Sequence, residues 1–124
     1  MRWLNKHGKE RTQMVKGSLL FVYGILKDIL GNEEGAEYVA DHTIEEGYKM
    51  YNLGMFPGVI KGEGSVSGKV FRVTDELLAQ CDRIEGTPHL YVRDTIETPD
   101  GEASIYLFNQ KVNDYHAEVD GGVW

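Results

Sequence analysis

An α+β domain is what the sequence predicts, with about five strands around one helix and the strands closing, or nearly closing, into a small, mostly antiparallel β-barrel. Three observations lead there. Short runs of β-branched and aromatic residues recur between turn-forming residues. A single segment, after Thr74, carries convincing helical spacing. Pro99-Asp100-Gly101-Glu102 joins two strand-like runs as a hairpin, and no βαβ alternation appears.

The 124 residues suit one domain with one core. Hydrophobic residues at 41% and charged residues at 27% are those of a folded globular chain. A net charge of −7 argues against nucleic acid and anionic membrane surfaces as partners. The lone cysteine, Cys81, forms no internal disulfide, and no apolar run approaches the roughly 20 residues of a membrane helix, so a reducing, cytoplasmic setting is expected. Residues 1–17 hold five Lys and Arg against Glu10 alone, net +4, whereas the remainder holds eight against 19, net −11. Asn5, His7 and Gly8 through Arg11 interrupt any secretory apolar stretch, so residues 1–17 read as a basic N-terminal extension and residues 18–124 as the domain.

Leu19-Leu20-Phe21-Val22-Tyr23, halted by Gly24, has the form of a buried strand. Gly31 to Gly35 reads as an acidic loop leading to an unassigned segment through Ala36, Tyr38 and Val39. Thr43 to Leu53 alternates as a strand with Ile44, Tyr48, Met50 and Leu53 as core candidates, and Gly54 and Pro57-Gly58 read as its closing turn. Val66 to Val73 is a further strand. Thr74 then caps a helix with Asp75 and Glu76 at its positive end. Leu77, Leu78, Cys81 and Ile84 form the apolar stripe of that helix, and Gly86 with Pro88 stops it, leaving Glu85 at the C-terminus. Tyr91 to Thr98 and Ala103 to Phe108 are the hairpin strands.

Several chemistries lack their residues. His7, His42, His89 and His116 stand far apart with one cysteine, so no metal is expected. Gly62, Gly64 and Gly68 miss the nucleotide-binding spacings, and no Gly-x-Ser-x-Gly elbow occurs. Cys81, on a buried helix face, is expected to have a raised pKa and little thiolate reactivity.

Two segments remain, and they carry a resemblance. Tyr23-Gly24-Ile25-Leu26-Lys27 resembles the Tyr-Gly-Thr-Leu-Arg signature of the gamma-glutamylcyclotransferase-like superfamily, in its gamma-glutamylamine cyclotransferase or AIG2-like form. Asp82-Arg83-Ile84-Glu85-Gly86, followed by Tyr91-Val92-Arg93, is similar to that family's Leu-Asp-x-x-Glu-Gly and Tyr-x-Arg block. Tyr51-Asn52-Leu53-Gly54 with Phe56-Pro57-Gly58, Val66 to Val73, Ile105 to Phe108 and the closing Gly121-Gly122-Val123-Trp124 continue the match over residues 18 to 124.

The resemblance implies a mixed six-stranded barrel with one or two short helices, and an enzyme that uses no cofactor. Its partner is a small-molecule γ-glutamyl substrate. Glu85 is implied as the general acid/base that moves a proton from the substrate's α-amine to the departing nitrogen, giving 5-oxoproline and a free amine. The backbone N–H groups of Tyr23, Gly24, Ile25 and Leu26 are implied to hold the substrate carboxylate. Local physics agrees, because a helix C-terminus and Asp82 three residues away raise the pKa of Glu85. Tyr23, Tyr91 and Tyr106 are either packing aromatics or hydroxyls facing substrate. Asp82 and Arg93 either form an ion pair supporting Glu85 or stand apart in solvent.

The match departs at Ile25, where threonine is usual, and at Lys27, where arginine is usual. Both changes are expected to touch the pocket, removing a hydroxyl and a bidentate contact. They support an alternative, a non-catalytic ligand-binding or regulatory domain with the same pocket. The leaving amine is expected to be selected by loops such as residues 28–42 and 110–124.

Overall fold

The computed structural model describes residues 3–4, 10–11 and 16–124 of the chain. Most of the basic extension expected over residues 1–17 therefore lies outside the described residues. Within it, β1 (Trp3–Leu4) and β2 (Glu10–Arg11) pair antiparallel.

Ordered elements then follow as β3 (Ser18–Val22), α1 (Leu26–Leu30), β4 (Ala36–Ile44), β5 (Tyr48–Asn52), β6 (Pro57–Lys61), β7 (Val66–Val73), α2 (Asp75–Ile84), β8 (Tyr91–Thr98), β9 (Gly101–Phe108) and β10 (Ala117–Glu118). A five-stranded sheet has the order β4-β7-β3-β9-β8, and a three-stranded sheet the order β10-β5-β6. Only β3–β9 is a parallel pair in the larger sheet; its other neighbours are antiparallel. The mixed, mostly antiparallel α+β class is as the sequence predicts. The barrel is not: the two sheets are not joined edge to edge by hydrogen bonds, and they pack face to face instead.

β3 explains the layering. Leu19, Phe21 and Tyr23 project into a core shared with Met50, Val59 and Ile105, between the two sheets. Leu20 and Val22 project the other way, onto α1, α2 and Phe71. A strand buried on both faces shows an unbroken apolar run, which is what Leu19 to Tyr23 displays.

Three expectations need correction. Thr43 to Leu53 is not one strand: β4, which began at Ala36, ends at Ile44, and a bend that includes Gly47 at φ +96° separates it from β5, which starts at Tyr48 in the other sheet. Pro57-Gly58 does not close a turn but opens β6; the tight bend lies before it, where the Gly54 N–H donates to Asn52 Oδ1 at 2.8 Å. Ile84, assigned to the buried helix stripe, is 60% exposed, because α2 ends at this residue and its side chain leaves the packed face.

Other local features follow the sequence chemistry. Thr74 caps α2, accepting from the Leu77 N–H at 3.2 Å. The hairpin turns through Pro99-Asp100, with Thr98 Oγ1 donating to the Gly101 carbonyl at 2.7 Å. Among the described residues no helix is long and apolar enough to cross a membrane. The cap gives a direct check: Thr74→Ala removes it and is expected to lower the unfolding free energy by about 1 kcal/mol, with an unchanged m-value in urea titration.

Candidate active site

α2 ends in a Schellman motif. Gly86 takes φ +65°, its N–H donates to the Arg83 carbonyl at 3.2 Å, and the Thr87 N–H reaches back to the Asp82 carbonyl at 2.9 Å. Glu85 is the C-cap residue of this motif. The turn thus presents the Glu85 side chain from a fixed backbone rather than from a loose helix end.

That side chain lines a cavity of about 210 Å³. The β3–α1 turn supplies Tyr23, Gly24, Ile25 and Leu26; β8 and β9 supply Tyr91 and Tyr106. Residues more than 60 positions apart in sequence are thereby gathered around one carboxylate. Gly24 is glycine for proximity: a Cβ there would lie 2.8 Å from Pro57 Cγ. Its backbone is not left-handed, so the turn is shaped by packing and not by glycine's special φ. Ile25 stands at the N-cap of α1 with no side-chain capping bond. The Lys27 N–H donates to the Gly24 carbonyl and the Asp28 N–H to the Ile25 carbonyl, each at 3.0 Å, so the turn's own carbonyls take up these first-turn donors.

Burial raises the Glu85 pKa from the ordinary carboxyl value to about 7. The direction is the one the sequence implies, but the cause is desolvation and not the helix end or Asp82. Asp82 is occupied otherwise: its Oδ1 accepts from the Tyr106 hydroxyl at 2.7 Å and pairs with Arg93 Nε at 2.9 Å. Of the two arrangements open for Asp82 and Arg93, the ion pair is the one formed, and it ties the last turn of α2 to β8 and β9.

Of the two readings open for the tyrosines, the packed one is what the structure shows. They are packed, and their hydroxyls donate to protein acceptors, Tyr23 to the Tyr106 carbonyl at 2.6 Å and Tyr91 to the Pro57 carbonyl at 2.7 Å. Burial, followed by the negative charge of Glu85, raises the pKa of Tyr91. Tyr23 rises for the same first reason, with Tyr91 and Glu85 adding to it. Cys81, beneath the same helix turn, is pushed up to about 11 by burial, in line with an unreactive thiol.

Two sequence readings of the pocket change. Lys27 does not line this cavity; it borders a separate surface groove with Asp41, His42 and Lys69, so only Ile25 alters the pocket wall. The loop 110–124 contributes no wall, and 28–42 contributes Ile29 alone. Phe56, Pro57, Ile84 and Leu90 form walls that sequence reasoning did not assign. Phe56-Pro57-Gly58 was visible as a matching fragment, while Leu90 carried no signal. Among the described residues no three His, Cys, Asp or Glu side chains gather as a metal site.

A small α+β domain with a tight strand-to-helix turn sharing a cavity with one half-buried carboxylate defines a class, and comparison with known proteins assigns it. Residues 20–124 match the family model described as gamma-glutamyl cyclotransferase, AIG2-like, and the chain belongs to that family. A Vibrio cholerae protein, provisionally named a gamma-glutamylcyclotransferase, is 38% identical over 109 residues, covering 86% of this chain and 94% of its own. The gamma-glutamylcyclotransferase family protein YtfP of Escherichia coli K12 is 33% identical over 108 residues, covering 85% and 94%. The solution structure of Escherichia coli ytfP superposes with a TM-score of 0.73 at 34% identity, over 86% of this chain and 95% of that one.

The raised Glu85 pKa has a consequence for stability. Between about 4.5 and about 7 the folded chain retains a proton that the unfolded chain has released, so the contribution of this group is full below that window and is lost as pH rises through it. Glu85→Gln is therefore expected to unfold at higher urea concentration than the native chain at pH 8, by about 1–3 kcal/mol, and to show no such gain at pH 4. Urea midpoints of both proteins at the two pH values check it.

Proposed function

We propose that the pocket is a γ-glutamyl cyclotransferase site. The observation that carries this reading is Glu85, among the described residues the one carboxylate lining the cavity, with a pKa near 7 and sharing that cavity with the Tyr23–Leu26 turn. A group poised near neutrality accepts and returns a proton with little penalty in either direction.

In the proposed reaction the backbone N–H groups at the β3–α1 turn bind the α-carboxylate of a small γ-glutamyl molecule. The α-amine nitrogen attacks the γ-carbonyl carbon, closing a five-membered ring. Glu85 takes a proton from that nitrogen and delivers one to the departing amide nitrogen, whose bond to carbon breaks. The products are 5-oxoproline and a free amine, and neither water nor a redox partner is consumed. Because attack is intramolecular, orientation supplies much of the acceleration. No cofactor enters, and residues 1–17 are read as a basic extension that precedes the domain. The expected setting is the cytoplasm.

The alternative of a binding pocket without turnover draws its support from Ile25, which removes a hydroxyl at the turn. A carboxylate grip made by backbone N–H groups survives that change, and Glu85 has no evident purpose in a pocket that only binds.

Release of 5-oxoproline from γ-glutamyl amides tests the reading. The native protein is expected to turn over at least one amide. Its kcat/KM should rise with pH through an apparent pKa near 7, as Glu85 loses its proton. Glu85→Gln should lower kcat about 10²–10⁴-fold with a smaller effect on KM. Binding of γ-glutamyl compounds without turnover by the native protein would favour the non-catalytic pocket.

A further inference from the structure

Large apolar side chains exposed singly are ordinary on a protein surface. Here several converge. Ile25 is 51% exposed, Ile84 60% and Leu90 37%, and all three line the Glu85 cavity although Ile25 comes from the β3–α1 turn and the other two from the end of α2 and the turn after it. Phe56 and Ile29 continue the same wall. Leu90 is held against the α2 turn, since a Cβ at Gly86 would meet its Cβ at 3.2 Å.

Among the described residues this rim is without charge: apart from Glu85, no acidic, lysine, arginine or histidine side chain of theirs lines the cavity, and Lys27 borders the other groove. Ile84 immediately precedes Glu85 in the chain. In the cyclotransferase reading the departing nitrogen lies beside Glu85, so the group attached to that nitrogen extends over Ile84 and out past Leu90 and Ile25. A carboxylate or ammonium on that group would lose water against hydrocarbon with no counter-charge in the wall.

We propose that the leaving group accepted here is an apolar amine, held by Ile25, Ile84 and Leu90, rather than an amino acid or a diamine. This specificity rests on the cyclotransferase reading. It differs from it in naming what lies beyond the γ-nitrogen.

Three γ-glutamyl amides with the same five-methylene chain test it: those of hexylamine, 1,5-diaminopentane and 6-aminohexanoate, ending in a methyl, an ammonium and a carboxylate. The hexylamide is expected to have a kcat/KM about 10- to 100-fold above either charged partner. Equal or faster 5-oxoproline release from a charged amide would overturn the apolar assignment and leave the cyclotransferase reading intact. Release from none of the three, nor from any other γ-glutamyl amide, would overturn both.

A rim variant adds an independent readout. Ile84 is exposed at the end of α2, where a cation is favourable to the helix, so Ile84→Lys is expected to fold. It should narrow the preference for the hexylamide over the 6-aminohexanoate amide about tenfold. A general disturbance of Glu85 would cancel in this ratio, and an unchanged ratio would overturn the placement of the leaving group on Ile84.

Discussion

The burial of β3 on both faces is the constraint on which the rest of the structure depends. Leu19, Phe21 and Tyr23 anchor one core and Leu20 and Val22 the other, each fully buried apolar side chain contributing about 1.5–3 kcal/mol. Because both faces are apolar, hydrophobicity alone does not set the register of this strand. Close contacts do. Gly68 on β7 admits the Val22 carbonyl, which would lie 2.3 Å from a Cβ at that position, and Gly24 admits Pro57. The Tyr23 hydroxyl reaches across to the Tyr106 carbonyl on β9 and fixes the end of the strand. The β3–α1 turn is therefore located by the core, not by its own short helix.

Two carboxylates three residues apart on α2 have opposite surroundings, and that contrast organises the site. Asp82 receives a tyrosine hydroxyl and a guanidinium at one oxygen. Glu85 receives burial without a cation, and its pKa rises to about 7. The Asp82–Arg93 pair is partly solvent-exposed, so its direct worth is at most about 1 kcal/mol. Its larger effect is geometric: it clamps the last turn of α2 to the hairpin and thereby sets where the Schellman turn points Glu85. Environment, not residue type, separates the two acids.

How much of this was legible in the sequence depends on whether the signal was local. β3, β7, α2 with its Thr74 cap, and the β8–β9 hairpin all carry their periodicity or turn chemistry within a few residues. α1 was not legible, being five residues with no side-chain cap. β6 was hidden because Pro57-Gly58 carries turn chemistry, yet a proline is tolerated at the first residue of a strand. Ile84 followed the helical period of Leu77 and Cys81, but a helix stripe predicts burial only while the helix continues. The candidate site was legible through the family resemblance. Local physics alone offered a carboxylate at a helix end and anticipated its raised pKa, but not the burial that raises it, because the cavity it lines is walled by Tyr23, Pro57 and Tyr106, which are distant in sequence.

The hydrogen bonds of the tyrosines also decide what the pocket offers a ligand. A hydroxyl that donates to a fixed carbonyl keeps its oxygen as an acceptor. Tyr91 is committed in this way to Pro57, and Tyr106 to Asp82, so neither is free to donate to a substrate carbonyl. What remains on the lining residues is tyrosine acceptor oxygen, the Glu85 carboxyl and, in the proposed reaction, the backbone N–H groups of the β3–α1 turn. Such a lining suits a molecule that brings its own N–H donors near Glu85 and a carboxylate near the turn, which is the polarity of an α-amino acid. Replacing threonine by Ile25 subtracts a hydroxyl from the wall without touching any of these groups. The substitution therefore bears on what lies at the mouth of the pocket and leaves the proposed proton transfer with all of its parts.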